Sequence, residues 1–294
     1  MIRATFKALC LILGFLIGRA AQVEAQTIDQ LCKVPKGCKP IYEGDYLSYF
    51  DTVRHVPSVV WYSSTSSQLK LDLPLQRKSN YPAVDELPMI PGNAYSKTGY
   101  DHGHLAPARD FKYEIKAYQA SNAMANISPQ HPCFNQRGWC YLETSIRNLV
   151  ESHPRAQVFV GTGSHFIPGV ETRDTICLKN GVTIAVPDQF YKVVWLHFPE
   201  ASDDMLIAFL VDHLPVANED IVAKQITVDS LEKITGIDFF DIMPNAWERE
   251  KESILYPIPL DERSDCGSKT CLSVMKGRID PHKRAEKRCR TAGR

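Results

Sequence analysis

The stretch that decides the fold is residues 100–110, Y-D-H-G-H-L-A-P-A-R-D. It places Asp101, His102 and His104 within four consecutive positions. Pro107 then favours an extended conformation for the residue before it, so this stretch is not the interior of a helix. Titratable groups gathered on an extended segment fit a zinc site, a surface turn or a hydrolytic site with a histidine base. The remaining sequence favours the third of these.

Composition indicates an ordinary globular protein. The chain has 294 residues, of which 44% are hydrophobic and 23% are charged, enough for a sizeable core. Neither an internal repeat nor a linker is evident, so we expect one main domain. The charges balance overall, which argues against DNA binding driven by net charge, as in repressors.

The N-terminus has the pattern of a secretory signal peptide. Arg3 and Lys7 precede an apolar run over residues 8–17, and Val23-Glu24-Ala25 resembles a cleavage site. The run is too short for a membrane-spanning helix. We therefore expect residues 1–25 to be removed, leaving a secreted protein, periplasmic or extracellular, without membrane attachment. The mature chain then carries 31 basic and 33 acidic residues.

Cysteine usage supports export. Eight cysteines remain after the first 25 residues, and an even number in an exported chain favours disulfides. Sequence does not fix their connectivity, but proximity favours local pairs. The expected bridges are Cys32–Cys38, Cys133–Cys140, Cys266–Cys271 and Cys177–Cys289.

Hydrophobic patterning predicts an α+β fold with an antiparallel sheet core flanked by helices. Alternating or β-branched segments indicate strands, and apolar residues at helical spacing indicate helices. The predicted strands are residues 58–63, 69–73, 158–160, 182–186, 191–198 and 205–211. The predicted helices are residues 113–124, 135–151 and 230–235.

One polar stripe follows the second predicted helix. Asn135, Trp139, Glu143 and Arg147 recur every four residues, so they lie along one slanting line on the helix surface. Such a stripe is usually solvent-exposed and without function. Its position downstream of residues 100–110 makes it a candidate for a site.

Two sequence blocks together resemble a known family. Residues 101–108, D-H-G-H-L-A-P-A, resemble the D-R-G-H-x-A-P signature of the DNA/RNA non-specific endonucleases, which include the secreted Serratia nuclease and mitochondrial endonuclease G. The second block is N-I-S-P-Q at 126–130 and N-Q-R-G-W at 135–139, followed by Glu143 and Arg147. Weaker matches extend the resemblance over about residues 55–243.

The resemblance implies catalytic roles for specific residues. His104 would be the general base that deprotonates a water. Asn135 would be the direct protein ligand of Mg²⁺, with Mn²⁺ as a substitute, because such ions prefer oxygen donors and retain most of their waters. Glu143 would orient metal-bound waters, and Arg147 would hold the phosphate with its forked donors.

The remaining expected site residues lie around the motif. Asp101 is expected in the catalytic group, and Arg77 is the candidate for the family's upstream arginine. His102 and Asn126 are expected near the substrate, with Asn126 supporting the loop geometry. His102 replaces the arginine of the family signature, so it carries positive charge fully only below its ordinary pKa of about 6.5.

The family resemblance also implies the fold of the site and the activity. A ββα-metal element would carry the histidine on a hairpin and the asparagine on a helix. The implied activity is Mg²⁺-dependent hydrolysis of phosphodiester bonds in DNA and RNA. The alternatives are a catalytically degenerate protein that only binds nucleic acid, and a zinc-dependent hydrolase that uses His102 and His104.

The implied domain organisation has four segments. The signal peptide covers residues 1–25 and an N-terminal arm covers residues 26–54. A nuclease domain follows at 55–265. The last segment, 266–294, is a basic C-terminal tail, which we expect to be a solvated terminus or an aid to substrate capture.

Overall fold

The computed structural model describes residues 28–76, 81–87, 89–170, 174–199, 204–258, 266, 271 and 280–292. The expected signal peptide and the candidate Arg77 lie outside these described residues. Within them, the helices lack the combination of length and apolar character that a membrane span needs. The expected domain at 55–265 is therefore described for most of its length.

A seven-stranded antiparallel sheet forms the centre of the fold. Numbered along the chain, its strands lie in the order β1-β2-β3-β6-β9-β10-β11. Two small antiparallel pairs, β4 with β5 and β7 with β8, lie outside it. The strands are β1 Cys38–Glu43, β2 Tyr46–Asp51, β3 Val56–Thr65, β4 Asp101–His104, β5 Ile127–Gln130, β6 Gln157–His165, β7 Thr175–Cys177, β8 Thr183–Ala185, β9 Gln189–His197, β10 Met205–Asp212 and β11 Gln225–Ile226. The predicted α+β class with an antiparallel core is confirmed.

Helices flank the sheet, as the apolar periodicity predicts. Numbered along the chain, they are α1 Ser66–Leu69, α2 Ile115–Ala120, α3 Cys140–Ser152, α4 Val228–Thr235, α5 Asn245–Lys251 and α6 Pro281–Ala292. A π-helical segment, Phe134–Trp139, leads directly into α3. The start of α4 is capped by the Thr227 side chain, and its end by Gly236 at a φ of 70°, a conformation that glycine adopts without strain.

The alternation of side chains along β3 gives the sheet two apolar faces. Val60 and Tyr62 pack in the cluster that contains residues of α3. Val59 and Trp61 point to the opposite face, in the cluster that contains residues of α4. This period of two is what a strand buried on both sides requires. We refer to the two sides as the α3 face and the α4 face.

The prediction of a strand over residues 69–73 is wrong. Thr65 accepts a hydrogen bond from the backbone nitrogen of Gln68, and the Gln68 side chain accepts one from the backbone nitrogen of Thr65. This capping box starts α1 immediately after β3. The capping box therefore places Leu69 in a helix, and residues 70–73 that follow are not part of a strand.

Residues 26–54, expected to form a separate arm, instead contribute the first two strands of the sheet. β2 pairs along its length with β3, so this segment is part of the central domain. Its cysteines do not form the expected bridge, because Cys32 and Cys38 are both free thiols. The Cys32 sulfur accepts a hydrogen bond from the Trp61 indole nitrogen at 3.1 Å. Burial raises its pKa to about 12, so the thiol is unreactive.

The disulfides connect segments that are far apart in the sequence. Cys177–Cys289 is present as predicted, but the other bridges are Cys133–Cys271 and Cys140–Cys266. The predicted local pair of Cys133 with Cys140 is wrong for a geometric reason. Seven residues of helix separate their Cα atoms by roughly 10 Å, which exceeds the span of a disulfide.

These bridges fix the C-terminal segment to the domain. Cys266 is bonded to the first residue of α3, and Cys271 to Cys133 just before it. α6 lies against β7, where Cys289 is bonded to Cys177. Within the tail, expected to be a solvated terminus or an aid to substrate capture, Cys266, Cys271 and Cys289 are thus each bonded to the domain.

We expect the long-range bridges to contribute strongly to stability. Replacing both Cys140 and Cys266 by serine leaves the surrounding Cys133–Cys271 bridge in place. The unfolded chain therefore gains only the freedom of a loop of about 12 residues (7 from Cys133 to Cys140 and 5 from Cys266 to Cys271), which gives a loss of about 3 kcal/mol in the free energy of unfolding. Urea denaturation measures this loss. Cys38→Ser removes an unpaired thiol and is the control, with an expected change within about 1 kcal/mol; an equal loss in both proteins would contradict the assignment.

Candidate active site

The motif at residues 100–110 forms one strand of a short hairpin. β4 pairs with β5 so that Asp101 lies opposite Gln130, and His104 opposite Ile127. Gly103 permits this packing, since a Cβ there would lie 2.2 Å from the Gln130 side chain. The hairpin is followed by the π-helical segment and α3. Two strands and a helix are therefore arranged as the ββα element requires.

His104 is held in one orientation by an asparagine that the sequence does not signal. The His104 ring is largely buried, and its Nε2 lies 3.1 Å from Oδ1 of Asn122. Asn122 donates from Nδ2 to the Tyr118 carbonyl at 2.7 Å, which orients its amide oxygen towards the histidine. In the neutral ring Nε2 then carries the proton, and Nδ1 is the nitrogen that can accept one.

Asn126 secures the turn that follows the histidine. Its Oδ1 accepts from the Ala106 nitrogen at 2.8 Å, and its Nδ2 donates to the carbonyl oxygens of Ala106 and Ser121 at 2.8 and 2.7 Å. The side chain is fully buried. Asn126 therefore fixes backbone geometry beside His104, and it is inaccessible to a substrate or to glycosylation.

Asp101 connects the hairpin to the start of the helix. Its Oδ2 accepts a hydrogen bond from Nδ2 of Asn135 at 2.9 Å and another from Nε2 of Gln136 at 2.5 Å. Because the Asn135 nitrogen is committed to Asp101, the amide oxygen Oδ1 is the atom that Asn135 can offer to a cation. These adjacent residues lie in the π-helical segment, a distortion that is frequent at functional sites.

The side chains of α3 and the hairpin line one cleft of about 510 Å³. His104, Asn135, Glu143 and Arg147 all contribute to its wall. The structure therefore brings together the expected base, the expected metal ligand, and Glu143 and Arg147 of the predicted stripe, whereas the fourth stripe residue, Trp139, is buried in the core. Arg109 and Lys112 add positive charge to the same cleft, although the sequence analysis did not single them out.

Arg147 is held by a buried carboxylate. Its Nε and Nη2 both donate to Oδ1 of Asp110, at 2.8 and 2.6 Å, and the Tyr62 hydroxyl donates to Oδ2 at 2.7 Å. Burial alone would lower the pKa of Arg147, but the charge and hydrogen bonds of Asp110 raise it above its ordinary value. The guanidinium is therefore a fixed, permanently charged group at the cleft wall.

A buried lysine lies behind the same helix. Lys192 on β9 is 1% exposed, donates to the Thr162 hydroxyl at 2.6 Å and lies 5.2 Å from the Trp139 ring centre. Burial lowers its pKa to about 8, although Glu143 and Asp110 favour its charged form. The sequence does not indicate that Lys192 is buried beside the site, because the lysine stands alone within a mostly apolar strand.

Comparison with known proteins identifies the family of the chain. The family model of the DNA/RNA non-specific endonucleases matches residues 25–246. The chain belongs to this family. Human mitochondrial endonuclease G is 31% identical over 161 residues, covering 53% of this chain and 52% of the relative. A nuclease of Nostoc is 32% identical over 183 residues, covering 58% and 63%.

A yeast relative and a solved structure extend the comparison. The mitochondrial nuclease of Saccharomyces cerevisiae is 29% identical over 162 residues, covering 51% of this chain and 49% of the relative. The chain thus spans about half the length of the curated relatives it matches. A crystal structure of the EndoG/EndoGI complex superposes with a TM-score of 0.59 at 20% identity, covering 76% of this chain and 94% of that one. At this identity the match shows the fold.

His102 is not positioned as a substrate-binding residue. It is absent from the cleft lining. Its Nε2 lies 3.2 Å from the Gly92 carbonyl oxygen, and its ring stacks on Tyr81 at 4.0 Å between ring centres. This residue replaces the arginine of the family signature, and here it packs a loop against the hairpin. His102 and Asn126 are therefore both reassigned from substrate contact to support of the site.

The described residues do not favour a zinc site at the two histidines. Zinc needs three or four protein ligands that converge. Among the described residues, three histidine, cysteine or acidic side chains converge closely enough to bind a metal at Asp229, Glu232 and Glu252. This group does not include His102 or His104. The Nε2 atoms of His102 and His104 face a backbone carbonyl and an asparagine instead.

We expect Asn126→Ala to destabilise the protein. The substitution leaves the Ala106 amide group and the Ser121 carbonyl without their buried partner, at about 1–3 kcal/mol for each unsatisfied group. The expected loss in unfolding free energy is at least about 3 kcal/mol, measured by urea denaturation. Asn245→Ala changes an exposed asparagine and should cost less than about 1 kcal/mol; similar losses would refute the role of Asn126.

The lowered pKa of Lys192 predicts that the free energy of unfolding depends on pH in a specific range. The Lys192 pKa of about 8 in the folded protein lies below the ordinary lysine value of 10.5, so the unfolded chain binds the extra proton between these values. The residue therefore makes folding more favourable as pH rises from 8 to 10.5. Lys192→Met removes this gain, and the stability of the variant relative to wild type should fall across that window by on the order of 3 kcal/mol.

Urea unfolding at pH 7.5, 9 and 10.5 measures the difference between the two proteins at each pH. Lys116→Met replaces an exposed lysine and is the control, for which the difference should stay constant. A constant difference for Lys192→Met as well would show that Lys192 does not titrate in this range.

Proposed function

We propose that the protein is a magnesium-dependent endonuclease that hydrolyses phosphodiester bonds in DNA and RNA with little sequence preference. The observation that carries the proposal is that His104 and Asn135 line the same cleft. In each side chain, one polar atom is committed to a neighbour, Asn122 for His104 and Asp101 for Asn135. The other polar atom is Nδ1 in His104, which would accept a proton from water, and Oδ1 in Asn135, which would bind the cation.

His104 would act as the general base. Its Nδ1 accepts the proton of a water that attacks phosphorus, while the hydrogen bond from Nε2 to Asn122 stabilises the imidazolium that forms. The Asn122 oxygen is a neutral acceptor, so it orients the ring without taking its proton. This arrangement does not require a carboxylate partner for the histidine.

The donor set of the cleft fits a hard divalent cation. Asn135 Oδ1 would be the direct protein ligand, and the half-buried Glu143 would hold water molecules around it. Oxygen ligands and retained waters are what Mg²⁺ prefers, and Mn²⁺ accepts the same set. The bound cation supplies positive charge beside the phosphate and its leaving oxygen.

The basic residues of the cleft would bind the polymer. Arg109 is exposed, Lys112 is paired with Asp72 at 2.7 Å, and both line the cleft, so their charges would attract phosphate groups there. Arg147 differs from these two, because Asp110 fixes it and limits its reach. Contacts to phosphate groups recognise the nucleic-acid backbone and do not distinguish one base sequence from another. They support action on both DNA and RNA.

Export from the cell is part of the proposal. The N-terminal pattern of a signal peptide motivates it, and the three long-range disulfides support it, because such bridges persist in oxidising compartments. The human and yeast relatives are named as mitochondrial proteins. Localising the full-length chain with a C-terminal tag, in its own cells, tests export directly.

The activity is tested with the oxidised protein on plasmid DNA and single-stranded RNA. We expect cleavage of both with Mg²⁺ and none in EDTA. His104→Ala should lower the cleavage rate by about 100- to 10,000-fold, the usual contribution of a general base. His282→Ala changes an exposed histidine and should retain the wild-type rate.

Each other outcome points to a different conclusion. Equal rates for His104→Ala and wild type would contradict the assigned base. Binding of nucleic acid by a folded protein that does not cleave it would support the degenerate binding protein instead. Activity restored by stoichiometric Zn²⁺ but not by Mg²⁺ would support the zinc hydrolase.

A further inference from the structure

Three carboxylates converge on the side of the sheet opposite to the cleft. Asp229 and Glu232 lie one turn apart on α4, and Glu252 follows the last residue of α5. One oxygen of each lies within 4.8 Å of the other two. None of the three lines the cleft, so this cluster is separate from the proposed active site.

Glu252 is the unusual member of the cluster. It is 5% exposed, and its Oε1 is buried without a hydrogen-bond partner. Leaving a charged group buried and unpaired costs several kcal/mol. Native structures rarely keep such an atom unless a ligand, ion or proton compensates it. The buried oxygen is therefore evidence for a missing partner, independent of the clustering itself.

The surrounding charges point to a cation as that partner. Burial raises the pKa of Glu252 to about 8, and Glu232, Glu248, Asp229 and Asp238 raise it further. Burial is also the main reason why the pKa of Glu232 is raised to about 7. Glu252 also stands at the C-terminal cap of α5, where backbone carbonyls carry partial negative charge and favour cations.

We propose that Asp229, Glu232 and Glu252 form a Ca²⁺ site that joins α4 to α5. Glu232 Oε1 already accepts a hydrogen bond from the Phe239 backbone nitrogen at 2.7 Å, which leaves five other carboxylate oxygens in the cluster. This number suits the large and flexible coordination shell of Ca²⁺. Mg²⁺ usually takes one or two carboxylates and keeps its waters, so it fits this cluster less well. The site does not depend on the proposed nuclease activity.

The role of the site would be structural. α4 packs through Leu231 on the α4 face, and α5 through Trp247, whose ring lies 5.7 Å from that of Trp195. A backbone bond from Asp229 to the Glu252 carbonyl at 3.3 Å already connects the two segments. Bound Ca²⁺ would add to this connection and neutralise the repulsion between the carboxylates.

The test measures Ca²⁺-dependent thermal unfolding in the Asn135→Ala background, which removes the ligand of the cleft cation. The protein is first stripped with EDTA and then studied at pH 8. We expect saturating Ca²⁺ to raise the melting temperature by roughly 5 °C. Isothermal titration should find one Ca²⁺ per chain. Adding Glu252→Gln should abolish both the shift and the binding.

Glu250→Gln is the matched control. It removes an acidic side chain that is 69% exposed and lies two residues from Glu252, so the Ca²⁺ shift should persist. If Glu252→Gln does not fold, as judged by circular dichroism, Glu232→Gln replaces it. A shift that survives the Glu252 or Glu232 substitution would overturn the proposal.

A stripped protein that Ca²⁺ does not stabilise would also overturn the proposal. The cluster would then be assigned to carboxylates that share protons. In that case the stripped protein gains stability as pH falls from 8 to 6, because both raised pKa values lie in that range. This test remains valid if the protein proves to have no nuclease activity.

Discussion

The site depends on two amide donors that share one carboxylate oxygen. Asn135 and Gln136 both donate to Oδ2 of Asp101, and this is the direct polar connection between the hairpin and the beginning of the helix. It sets how close the strand carrying His104 lies to α3. It also decides which atom of Asn135 faces the cleft, since an amide that donates nitrogen on one side presents oxygen on the other.

Buried charge is the second constraint on this region. Asp110, Arg147 and Lys192 are 7%, 6% and 1% exposed, and they lie beside residues of the apolar cluster on the α3 face, such as Tyr62 and Trp139. Such groups are costly unless they are paired, and here Asp110 serves both Arg147 and the Tyr62 hydroxyl. Fixed charges that need no rearrangement favour catalysis more than mobile ones do. The core therefore gives up some stability and holds Arg147 in a fixed position at the cleft wall.

The sequence predicted those parts of the site that have local patterns. His104 and Asn135 stand in recognisable motifs, and the helix stripe predicted that Glu143 and Arg147 share one side of the cleft. Asn122 could not be found this way, because its contact with His104 depends on the path of the chain between them. The disulfides were missed because proximity in sequence says little about proximity in space. The first two strands were missed because the cysteines at 32 and 38 suggested a tethered arm.

The cross-links of α3 have a consequence for biosynthesis. Cys140 cannot find its partner until Cys266 has been synthesised and has left the ribosome. At roughly 5–20 residues per second, the 126 residues added after Cys140, up to and including Cys266, take about 6–25 s to translate. During that time Cys133 and Cys140 remain thiols, and they can pair wrongly with each other until the helix between them has formed. A nascent chain interrupted before residue 266 would carry every cleft residue named above and still lack the covalent closure of its helix.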